Sequence, residues 1–74
     1  MKLLKTLLRE NGFTEPNQYY ELILTQYFKG NHNKSAELFQ DLKRDEKIYF
    51  LTRYLDPQPF AKVIKFFIKE ILIN

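Results

Sequence analysis

Seventy-four residues with 12 Lys and Arg against 9 Asp and Glu, no Cys and a single His describe one small, mildly basic domain spanning 1–74. The lack of cysteine excludes a disulfide framework and a thiolate metal site, so stability has to come from packing 11 Leu, 6 Ile, 7 Phe and 5 Tyr. That load of large side chains favours an oligomer or a protein partner, while a net charge of +3 permits nucleic acid or an anionic membrane without arguing for either.

The opening MKLLKTLLRE begins like a signal peptide and departs from one at Lys5, Arg9 and Glu10, with no small-residue cleavage site. The apolar run Phe66–Ile68 is far too short to span a bilayer, so a soluble, cytoplasmic protein is expected. Residues 2–11 instead read as a first helix, with Leu3, Leu4, Leu7 and Leu8 on one side and the basic row Lys2, Lys5 and Arg9 on the other. Gly12 followed by Phe13 fits a Schellman ending.

A second helix is expected over 15–29, with Thr14 as its cap and Pro16 in the first turn, where a missing N–H costs nothing. Its core stripe reads Tyr20, Ile23, Leu24, Tyr27 and Phe28, flanked by Tyr19 and Leu22. The turn Gly30–Asn33 ends that helix and lets Asn33 cap a third, over 34–44, which carries Ala36, Leu38, Phe39 and Leu42 inward. A fourth, over 46–55, places Ile48, Leu51 and Leu55 on one face, with Phe50 and Tyr54 beside them. Asp56-Pro57-Gln58-Pro59 stops it, because a residue preceding Pro is pushed out of the α region, and Asp56 can cap the last helix, over 59–73. No apolar alternation of strand type occurs. The fold class is all-α, a compact bundle of four to five short helices.

The last helix is the unusual one. Ten of the fourteen residues from Phe60 to Ile73 are apolar, and three of the four polar ones are Lys62, Lys65 and Lys69, which fall on one narrow stripe. Such a helix is either central to the bundle or meets something outside its own chain. Placing the core face on Phe60, Ile64, Phe67, Ile68 and Ile71 leaves Val63, Phe66 and Ile73 on an outer flank beside the lysines. Exposed apolar side chains of that kind mark association sites. Val63, Phe66, Ile73, Lys62, Lys65 and Lys69 are therefore the expected surface for self-association or a protein partner, unless helix one covers them.

Residues 19–42 resemble one unit of the tetratricopeptide and pentatricopeptide helical-hairpin repeats, through Leu22, Ile23, Gly30, Ala36, Leu38, Phe39 and Leu42. A single unit cannot bury a repeat array's continuous core, so the resemblance implies an antiparallel α-hairpin here and carries over no ligand-binding residues. Phe, Tyr, Met, Ile, Asn and Lys total 33 residues against 10 for Gly, Ala, Arg and Pro, a skew typical of AT-rich coding sequence. In size and composition the chain resembles the small accessory proteins of phage and low-GC bacteria.

Other function classes find less support. His32 has no partner at metal-ligand spacing, and Glu37, Asp41 and Asp45, although four residues apart, sit among lysines as a solvated face. No nucleophile setting or Gly-rich phosphate loop is present, so no catalytic residue, metal or cofactor is expected. A helix-turn-helix reading of 16–44 offers Lys34, Gln40, Lys43 and Arg44 to nucleic acid, but Glu37 and Asp41 on the same helix would face phosphates. A membrane-surface role for the last helix would need a broader charged face. The expected function is a non-enzymatic protein-interaction module, with nucleic-acid binding as the alternative.

Overall fold

Two glycines set where the first two helices stop. In the computed structural model, which describes residues 2–73 without the side chains of Pro57 and Ile73, Gly12 and Gly30 have φ of 71° and 87°. Helix α1 (Leu4–Glu10) ends with the Gly12 N–H donating to the Arg9 carbonyl at 3.2 Å and the Phe13 N–H to that of Leu8 at 2.8 Å. Helix α2 (Pro16–Phe28) closes in the same way, from Gly30 to Tyr27 at 3.0 Å and from Asn31 to Gln26 at 2.9 Å. Both are Schellman motifs, and both need the left-handed conformation that glycine adopts without strain.

The α2 start differs from expectation in one residue. Glu15, not Thr14, is the capping residue, and the Gln18 carboxamide oxygen accepts from the N–H groups of both, at 2.8 and 2.7 Å. Likewise Asn31 rather than Asn33 precedes α3 (His32–Gln40), so this helix begins two residues early and ends four early. Helices α2 and α3 pack antiparallel, since Tyr19 meets Leu38 and Ile23 meets Ser35. The Tyr19 hydroxyl donates to the Leu38 carbonyl at 2.6 Å, and the Ser35 hydroxyl to that of Ile23 at 2.7 Å, all within the core.

The expected fourth helix is two pieces. Helix α4 (Arg44–Tyr49) passes into a π-helical turn (Phe50–Tyr54), in which the Leu55 N–H reaches back five residues to the Phe50 carbonyl at 3.0 Å. Regular winding would carry Leu55 about 80° away from the direction of Lys47. The wider turn brings it back, so Phe50, Leu51 and Leu55 are all buried while Ile48 is exposed. Lys47 takes the inward place expected of an apolar residue. Its stem lies in the core, its Nζ donates to Gln40 at 2.8 Å, and the ammonium sits 5.7 Å from the Phe39 ring centroid.

Helix α5 (Pro57–Ile73) starts as expected on Asp56, whose Oδ1 accepts from the Gln58 N–H at 3.0 Å. Pro57 and Pro59 remove donors from its first turn, and Phe60 leaves helical geometry at φ −112°, ψ 22°, so the helix is kinked there. Its body packs against α3 and the π turn. The core gathers Leu7, Tyr19, Ile23, Phe39, Phe50 and Phe67 with the residues around them. The radius of gyration of 11.4 Å is that of a compact chain of this length, about 11 Å. Among the described residues no strand is present, and the molecule is a small all-α bundle of five helices.

Candidate functional site

Helix α5 presents its lysines outward and turns its apolar side by about one wheel position from the expected one. Lys62, Lys65 and Lys69 are all exposed. Val63, placed by sequence on the outer flank, is only 4% exposed and packs beside Phe67 in the core. Phe66 is half-buried, with Tyr27 and His32 against it at ring-centroid distances of 5.2 and 5.4 Å. The side chain of Ile73 lies outside the described ones.

The cover over this flank comes from the far end of the α2/α3 hairpin. Tyr27 and His32 stack at 4.5 Å with an interplanar angle of 18°, and that pair closes over Phe66. His32 therefore works as a packing ring. With Val63 and Phe66 covered, the large apolar side chains of α5 exposed among the described ones lie on the opposite flank: Ile68, 43% exposed, and Leu72, 78% exposed. They sit one helical turn apart. Leu72 falls about 20° from Lys65 on the helical wheel, so an apolar residue beside the lysine stripe was visible in the sequence.

The residues offered to nucleic acid do not form one surface on α3. That helix ends at Gln40, so Lys43 and Arg44 belong to the start of α4, and Lys34 stands near the opposite end of α3. Gln40 points into the bundle: its Nε2 donates to the Glu70 backbone carbonyl at 2.7 Å and its Oε1 accepts from Lys47. It ties α3, α4 and α5 together and is not presented to a groove of DNA.

A second face emerges between α1, the start of α2, and α4. A groove of about 530 Å³ has Leu4 and Tyr49 on its walls, Tyr20 beneath, and the carboxylates of Glu15, Asp45 and Glu46 around it. Tyr20 is only 2% exposed, and its ring rests against Tyr49, Phe50 and Tyr54 at 5.9, 5.5 and 5.2 Å. Its hydroxyl has no hydrogen-bond partner among the described residues, yet it keeps contact with solvent at the groove. Burial raises the phenol's pKa, and the nearby Glu46 carboxylate and Tyr49 raise it further. Sequence periodicity placed Tyr20 in the core and gave no sign of the groove, because its walls come from segments remote in the chain.

Among the described residues no group of three His, Cys, Asp or Glu side chains is placed to hold a metal ion, and no helix is long and apolar enough to cross a membrane. Comparison of the chain with protein-family models, with curated proteins and with solved structures gives no match.

Proposed function

We propose that this chain is a small protein-interaction module that self-associates through the exposed face of α5, where Ile68 and Leu72 lie beside Lys65 and Lys69. The observation that supports it most is the 78% exposure of Leu72, one turn from a 43% exposed Ile68, on a helix whose other apolar flank is closed by Tyr27 and His32. Paired exposed apolar side chains on one helix face mark association sites. Covering each one is worth up to about 2 kcal/mol. The function needs no catalytic residue, cofactor or metal. Nucleic acid is the weaker reading, since Gln40 is tied inward and Lys34 stands apart from Lys43 and Arg44.

Sedimentation equilibrium of the wild type against Ile68→Glu/Leu72→Glu tests this, with circular dichroism to check the helices. The expected result is a wild-type mass that rises with concentration above 9.0 kDa, and a folded variant that stays at the monomer mass. A wild type that remains monomeric up to about 1 mM, where an association of about −4 kcal/mol would show, would overturn it.

A further inference from the structure

We infer that the acidic groove between α1, α2 and α4 is the seat for the lysine stripe of a second copy of this chain. The inference rests on self-association through α5 and adds the surface on which α5 docks. Stacking two copies of the stripe face to face would set Lys62, Lys65 and Lys69 against one another, and such like-charge contacts are costly. The stripe needs an acidic surface with apolar walls, and the chain itself carries one.

Charge points to this pairing from both sides. The net charge is +3, yet the charged residues among the described lining of the groove are three carboxylates, Glu15, Asp45 and Glu46. Among the described residues the ion pair is Lys2 with Glu10 at 3.0 Å, and among those residues neither the groove's carboxylates nor the α5 lysines stand in an ion pair. Lys65 and Lys69 are one turn apart, about 6 Å along the axis, and project from the same side of the helix.

The walls suit what comes with an ammonium group. The Tyr20 and Tyr49 rings, with Leu4 beside them, provide aromatic and aliphatic surface for a lysine stem and for Ile68 or Leu72. The Tyr20 hydroxyl, nearly enclosed and without a hydrogen-bond partner among the described residues, can accept a hydrogen bond from an ammonium that enters. This observation is independent of the acidic rim and points the same way.

The two surfaces share no residue, so each contact sets one copy's stripe into the other's groove, either reciprocally in a symmetric dimer or head to tail in a ring or chain. Such a contact also weakens with salt.

Two charge reversals separate the halves: Asp45→Lys in the groove and Lys65→Glu/Lys69→Glu on the stripe. All three positions are exposed. Each variant alone should associate at least about tenfold more weakly than wild type in sedimentation, a loss of about 1.4 kcal/mol. Mixed in equal amounts they should form a 1:1 complex, because one retains an intact stripe and the other an intact groove. Tyr49→Ser, which changes a wall and no charge, should also weaken association. If Asp45→Lys and Tyr49→Ser associate like wild type while Ile68→Glu/Leu72→Glu does not, the groove is not the seat and the α5 reading survives. If the reversed variants each weaken but do not complement when mixed, the pairing of stripe with groove is wrong. A monomeric wild type overturns both.

Discussion

The Ser35 hydroxyl donates to the Ile23 carbonyl at 2.7 Å across the α2/α3 interface, and neither residue has any exposed surface. The short side chain lets the two backbones approach, and its one polar atom is satisfied by the neighbouring helix. Ser35→Ala should cost about 1 kcal/mol, the net worth of the hydrogen bond. Ser35→Leu should cost more, about 1–3 kcal/mol, by forcing the helices apart. Urea unfolding of both variants checks the order, which a milder Leu would contradict.

Tyr19 makes stability sensitive to high pH. Its hydroxyl donates to the Leu38 carbonyl at 2.6 Å, and burial, then the Asp41 and Glu10 charges, raise its pKa. The folded state thus holds the phenol proton more tightly than the unfolded chain, where tyrosine ionises near pH 10. The stabilising effect is complete below about pH 10 and is lost as pH rises above it. Burial raises Tyr20 and Tyr54 in the same direction. Melting temperature followed from pH 8 to about 11.5 should fall, and Tyr19→Phe should fall less steeply from a lower start. An unchanged slope in that variant would remove Tyr19 from the effect.

At Gly30 the cost of a side chain is conformational alone. A Cβ there meets nothing within 4 Å, but φ is +87°. Gly30→Ala should destabilise by about 1 kcal/mol, and Gly30→Val by more, through the steric penalty of the left-handed region. Gly30→Asn should be milder, since Asn tolerates that region. Thermal melts of the three variants give the ranking, and an unchanged melting temperature for Gly30→Val would show that the motif is dispensable.

Lys47 contributes more through its stem than through its charge. The side chain is buried against Phe39 and reaches Gln40, which in turn holds the Glu70 carbonyl of α5. Lys47→Met keeps most of the packing and should cost no more than about 1.5 kcal/mol. Lys47→Ala leaves a cavity and should cost about 2 kcal/mol or more. Equal losses in the two variants would place the effect in the ammonium instead.

The parts of the fold legible in the sequence were those set by local chemistry. Gly12 with Phe13, Gly30, and Asp56 before Pro57 marked helix ends because their signals act within a few residues. The wheel of α2 put Tyr19 on the flank and Phe28 inside, and the structure reverses both, leaving Phe28 63% exposed and Tyr19 enclosed with its hydroxyl bonded to α3. The π turn at Phe50–Tyr54 and the burial of Lys47 follow from how α4 meets α3, which no single-helix pattern contains. For α5 the lysine stripe was readable, but which apolar flank stays open depends on Tyr27 and His32 from elsewhere in the chain.

The most direct measurement uses the lack of native cysteine: thiol-labelling rates of Val63→Cys, Ile68→Cys and Leu72→Cys at several protein concentrations. In dilute solution Ile68→Cys and Leu72→Cys should label nearly as fast as an unfolded thiol, and Val63→Cys only as fast as the fold opens. At high concentration the first two should slow as a second copy covers α5, with Val63→Cys unchanged. Fast labelling of Val63→Cys, or rates at Ile68→Cys and Leu72→Cys that ignore concentration, would contradict the account.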